Sequence, residues 1–98
     1  MKTLGVGENR YPALEQRVNE QFGDIMKHFR QEHPNHREPF YQTACYLFAG
    51  FKSRTIALIL NQDEQNTYKT KSLLRKEIET EATPHQKEFL LLLEGSSR

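Results

Sequence analysis

Between Gly50 and Ile78 the chain reads GFKSRTIALILNQDEQNTYKTKSLLRKEI, two segments of helical apolar spacing around the polar triplet Asn61-Gln62-Asp63. No other stretch restricts the fold as much. Ser53 suits the N-cap of the first segment, which runs through Leu60 with Ile56, Ala57 and Leu60 inward. Asp63 is a good N-cap for the second, and Glu64 adds negative charge where a helix N-terminus favours it. Thr67, Leu74 and Ile78 then recur at steps of seven and four, one inner side of a helix over about 63–79.

The flanking sequence extends the same pattern. Met1 to Tyr11 contains Gly5 and Gly7 without apolar periodicity, and residues 1–11 read as a disordered arm. Pro12 suits the first turn of a helix, where its missing N–H costs nothing. Leu14, Val18, Phe22, Ile25 and Phe29 follow at steps of four, four, three and four, giving a lead-in helix within residues 12–36. Gly23 weakens that helix by about 1 kcal/mol relative to Ala and marks a place for a break. His33 to Pro39 (HPNHREP) holds two prolines and ends the element. Pro39 opens a helix to about Ala49, with Phe40, Ala44, Leu47 and Phe48 on one side and Gly50 as its C-cap residue. Thr83-Pro84 begins the last helix, which ends in four leucines before Gly95, and 96–98 form a tail. Nothing alternates with period two for long enough to make a strand. The expected fold is all-α, a small bundle of about five helices.

Charge is distributed unevenly along this bundle. Gly50 to Lys76 carries six Lys/Arg against two acids, an excess of four. Met1 to Ala49 balances six against six, and Glu77 to Arg98 has two bases against five acids. A net charge of +1 does not announce a nucleic-acid binder, but a basic helix that follows a helix and a turn does suggest a helix-turn-helix lying in a DNA groove.

Residues 37–79 resemble the LuxR-type effector domain of bacterial response regulators and signalling proteins. The residues that carry the resemblance are Ala49-Gly50-Phe51, Ile56-Ala57, Leu60-Asn61, Asn66-Thr67-Tyr68-Lys69, Lys71-Ser72, Arg75-Lys76 and Ile78. The YxxKSxLRKxI portion is similar to a subgroup attached to membrane sensors or helical-repeat proteins, and Phe22 to Phe29 is similar to that subgroup's lead-in helix. The resemblance implies a four-helix effector domain without a wing over residues 37–95, preceded by the lead-in helix. The sequence departs from the family in four places. Phe40 and Gln42 occupy the neighbourhood of an early acidic residue, and Lys52 replaces a Ser/Thr cap, leaving capping to Ser53. Gln62 and Thr67 replace apolar residues and are expected to loosen the turn by about 1 kcal/mol each.

The resemblance also implies roles. With Thr67, Leu74 and Ile78 inward, Tyr68, Lys69 and Ser72 face base edges in the major groove of double-stranded DNA. Lys69 donates to guanine O6 and N7, Ser72 donates or accepts, and Tyr68 lies against a thymine methyl or bonds a phosphate. Lys52, Ser53, Arg54, Lys71 and Lys76 are the candidates for phosphate contact. LuxR-type domains commonly dimerise through their last helix. Phe89 to Leu93, five consecutive apolar residues, cannot all face one core. Phe89 and Leu93 are therefore expected in the core, and Leu90 or Leu91 against a second subunit. The competing reading is a helix-turn-helix-like module that holds a protein partner or oligomerises without binding DNA.

Other chemistries lack their residues. The single cysteine, Cys45, excludes an intramolecular disulfide, fits a reducing compartment, and reads as a buried inert thiol within an apolar run. His28, His33 and His36 raise the question of zinc, but three histidines need a fourth ligand or water with supporting groups. That segment offers two prolines and no cysteine, so neither a metal nor another cofactor is expected. No paired carboxylates, Ser-His-Asp set or glycine-rich phosphate loop stands out, and the GVGENR stretch lacks a preceding strand. Neither catalysis nor a small-molecule ligand is expected. The apolar run Phe89–Leu93 is too short to span a bilayer, and Met1 to Pro12 has no apolar signal region. The expected address is the cytoplasm.

Overall fold

Two consecutive left-handed residues, Gly23 (φ 65°) and Asp24 (φ 61°), divide the lead-in segment into two helices. A right-handed α-helix cannot pass through such a pair, since left-handed backbone winds with the opposite hand and interrupts the i to i−4 ladder. The computed structural model describes residues 6–95, which form α1 (Val6–Gln21), α2 (Ile25–Glu32), α3 (Glu38–Phe48), α4 (Ser53–Leu60), α5 (Glu64–Thr80) and α6 (Gln86–Gly95). No strand occurs among the described residues. The fold is an all-α bundle, with a sixth helix gained from the break at Gly23-Asp24. Asp24 makes no side-chain cap bond to α2. Instead Asn19 reaches across from α1, its Oδ1 accepting from the backbone N–H of Met26 (2.8 Å) and Lys27 (3.2 Å). Helix starts leave such donors unpaired, so one side chain both caps α2 and fixes its angle to α1.

The start of α1 differs from the expected one. Residues 6–11 of the supposed arm lie in the helix, and Pro12 sits inside it rather than in its first turn. An interior proline removes one backbone bond. Next to it the Tyr11 ring packs 6.1 Å from that of Tyr46, and its hydroxyl donates to Glu15, which anchors the turn around Pro12. Residues 1–5 of the arm and the 96–98 tail lie outside the described residues.

α3 is the central element. Tyr41 and all of Thr43 to Phe48 are buried, and α3 packs against each of the other helices. A helix apolar on every side belongs inside a bundle. Phe29 of α2 is the hub of the aromatic core, its ring 5.8 Å from Tyr41, 5.6 Å from Phe48 and 5.3 Å from Phe89 in edge-to-face arrangements. Arg30, one residue on, bonds Glu15 of α1 and Glu38 of α3 while lying 4.6 Å over the Tyr41 ring. The Arg30 guanidinium holds the Glu38 carboxyl below the usual carboxylate range.

α6 closes the core with Phe89 and Leu93, both buried as its spacing requires, while Leu91 is 67% exposed. Leu90 and Leu92 pack partly against the core edge. No helix among the described residues is long and apolar enough to cross a membrane.

Candidate nucleic-acid interface

α4 ends at Asn61, whose left-handed conformation (φ 54°, ψ 51°) turns the chain, a geometry asparagine tolerates better than most residues. The Gln62 N–H returns to the Ala57 carbonyl at 2.9 Å, and α5 starts at Glu64. The expected caps form only in part. Lys52, not Ser53, occupies the extended cap position of α4, without a side-chain bond. Ser53 is thus the first helical residue and is buried. With its side chain mostly buried, Ser53 offers less surface for the expected phosphate contact than its exposed neighbours Lys52 and Arg54, and the start of the helix adds backbone N–H donors. Asp63 takes the cap position of α5 as expected, but its carboxylate makes no cap bond.

The two polar substitutions in the turn meet each other. Gln62 Nε2 donates to Thr67 Oγ1 at 2.9 Å, and Thr67 Oγ1 lies 3.4 Å from the Asp63 carbonyl. Thr67 is fully buried, so this bond satisfies a hydroxyl that would otherwise be costly there. The loosening expected of Gln62 and Thr67 is therefore offset by their pairing.

α5 has two distinct sides. Thr67, Leu74 and Ile78 are completely buried. Tyr68 is 53% exposed, and Lys69, Ser72 and Lys76 are exposed with it. Leu73, 59% exposed, stands between Lys69 and Lys76 at helical spacing and was not among the expected contacts. Lys52 and Arg54 at the start of α4 are exposed. Lys71 is half-buried, and burial, reinforced by Arg75, pushes its ammonium below the usual lysine range. Arg75 turns toward Glu79 (3.3 Å) and Glu94 of α6 (3.5 Å). The outward positive charge therefore rests on Lys52, Arg54, Lys69 and Lys76.

The far half of α5 is held by histidines. Glu77 Oε2 accepts from His33 Nδ1 (2.7 Å) and His36 Nε2 (2.9 Å), tying α5 to the linker between α2 and α3. His33 is 2% exposed, and its Nε2 has no hydrogen-bond partner. A second group joins His28 and Glu32 of α2 to His85 just before α6. Sequence spacing pointed to the histidines but not to their partners. Glu77 lies 44 residues from His33, and His85 lies 53 from Glu32, so only the fold brings them together.

Comparison with protein-family models, curated proteins and solved structures gives no match.

Proposed function

We propose that this chain is the DNA-binding output domain of a bacterial transcription regulator of the LuxR type, with α4 and α5 as its helix-turn-helix and α5 as the recognition helix. The observation that carries this reading is the two-sidedness of α5. A fully buried row of Thr67, Leu74 and Ile78 fixes the helix, and an outward row of Tyr68, Lys69, Ser72 and Lys76 is left for a ligand. Lys69 and Ser72 suit hydrogen bonding to base edges, and Tyr68 and Leu73 suit thymine methyl groups. Lys52, Arg54 and Lys76 supply phosphate contacts, joined by backbone N–H groups at the start of α4. Lys71 contributes less, being half-buried.

A second reading is a protein-interaction module. Leu58 is 78% exposed on α4, Leu73 is 59% exposed on α5, and Leu91 is 67% exposed on α6, more apolar surface than a groove reader requires. Backbone chemical-shift mapping on titration with promoter-derived and random duplexes separates the two. DNA binding places the largest shifts at 52–54 and 64–76 and weakens steeply with salt. Shifts confined to Leu58 and Leu91, or no shifts with any duplex, would leave the interaction module as the better account.

A further inference from the structure

The fold gathers two of the four histidines and a carboxylate where α2 meets the connection between α5 and α6. His28 and Glu32 stand one turn apart on α2 and share a side of it. His85 Nδ1 lies 2.5 Å from Glu32 Oε2, and the His85 backbone N–H donates to Glu32 Oε1 at 3.1 Å. The His28 ring stacks on that of His85, centroids 3.8 Å apart and planes 11° from parallel. One ligand atom from each of the three residues lies within 4.8 Å of the other two.

We propose that His28, Glu32 and His85 form a binding site for a divalent transition-metal ion, zinc being the best match, with a ring nitrogen from each histidine and Glu32 Oε2 as ligands. Two imidazoles and one carboxylate are a donor set that zinc takes with its fourth position left to water. The two nitrogen donors disfavour magnesium and calcium, which take oxygen ligands. The two oxygens of Glu32 divide the work. The backbone N–H of His85 steadies Oε1, which leaves Oε2 aimed at the rings, the outer support that orients a ligating carboxylate. None of the three residues is fully buried, and the His85 side chain keeps about a third of its surface open to an approaching ion. The His28 ring has no hydrogen-bond partner among the described residues, and its lone pair is free to coordinate.

One geometric consequence follows. Imidazole lone pairs lie in the ring plane, so parallel rings cannot both aim at one ion. Binding turns one ring out of the stack about χ2, a torsion with a broad minimum. The alternative group of His33, Glu77 and Glu81 is also within 4.8 Å. Coordination through His33 Nδ1 would leave its proton on Nε2, buried without an acceptor, and that cost favours the His28 group.

The test is calorimetric titration of the 98-residue protein with zinc chloride, paired with the visible spectrum of the cobalt(II) complex and the histidine ring signals in NMR. Expected are saturation at a single ion per chain, the intense bands of four-coordinate cobalt, and ring shifts at His28 and His85. His28→Gln, which replaces a half-exposed ring and keeps the Glu32–His85 contact, should lower affinity by more than the roughly 10–100-fold caused by loss of an outer-shell partner, with unchanged helicity. Glu81→Gln should leave affinity intact. No saturable uptake, uptake unaffected by His28→Gln, or uptake lost in Glu81→Gln would each overturn the assignment.

Discussion

Gln62 and Thr67, on either side of the start of α5, are joined by a 2.9 Å hydrogen bond from the Gln62 carboxamide to the Thr67 hydroxyl. Each is polar where the resembled family is apolar, and each would be a liability alone. Together they pin the turn to the first turn of the helix. Removing one partner from a buried bond is more costly than replacing both with apolar groups. Thr67→Val and Gln62→Leu should each destabilise by about 0.5–2 kcal/mol, whereas the double variant should return close to the parent. Urea denaturation of the four proteins gives the coupling energy. Additive losses would mean that the bond contributes nothing to the turn.

For α5 as the proposed recognition helix, Lys69→Ala should erode discrimination between the best duplex and a random one by about 1–3 kcal/mol, with a smaller effect on nonspecific affinity. Lys76→Ala and Arg54→Ala should weaken all duplexes alike and reduce the salt slope by about one unit each. Fluorescence anisotropy over a salt series reads both quantities. Equal weakening by Lys69→Ala on every duplex would recast Lys69 as a phosphate contact.

Glu77 receives two imidazoles on one oxygen and is only partly exposed. Glu77→Gln should cost about 1–3 kcal/mol, because the buried His33 ring loses a charged acceptor. Glu20→Gln, an exposed carboxylate on α1, should stay within about 0.5 kcal/mol of the parent. Equal thermal midpoints for the two variants would show that the histidines do not fasten α5.

Alkaline pH should weaken the fold through Cys45. Burial pushes its thiol from an ordinary value of 9.0 up to about 12, and burial raises Tyr11 and Tyr46 in the same direction. A raised group binds its proton more tightly in the folded chain, so its contribution is complete below the unfolded pKa and is lost as pH climbs toward the folded one. Stability should decline between about pH 9 and 12, and the decline should be shallower in Cys45→Ala. At neutral pH a thiol reagent should label Cys45 only as fast as the chain opens. Rapid labelling of the folded protein would contradict the burial.

The last helix separates two kinds of leucine. Phe89→Ala should cost about 3–5 kcal/mol, as the loss of a buried aromatic does. Leu91→Asp should leave helicity and thermal midpoint nearly unchanged. If α6 joins two copies, Leu91→Asp should also shift sedimentation toward monomer. Unfolding by Leu91→Asp would place that side chain in the core after all.

The elements that could be read from sequence were those whose periodicity survives packing. Ile56, Ala57, Thr67, Leu74 and Ile78 are inward as their spacing implied, and Phe89 and Leu93 divide from Leu91 as a 100° turn per residue requires. The start of α1 was misread because Pro12 resembles an N-terminal residue, and what carries the helix past it is a contact between Tyr11 and the distant Tyr46. The Ser53 cap failed by one residue, a shift that periodicity does not detect. The exposure of Tyr68, Lys69, Ser72 and Lys76 on α5 was legible from register, but the diversion of Arg75 to Glu94 was not, since it depends on where α6 docks. Leu73 had no place in the pattern of Thr67, Leu74 and Ile78, and only the structure shows its side chain exposed.

Phe29 bears on how this chain can be divided. Its ring meets Phe40, Tyr41 and Phe48 of α3 and Phe89 of α6, although it belongs to the lead-in segment. A cut before Glu38 would leave the helices that carry the family resemblance around an empty aromatic socket, with several rings facing water. The unit that melts cooperatively should thus begin no later than α2. The seam visible in the sequence at His33–Pro39 is a joint in the chain and not a border between two folding units.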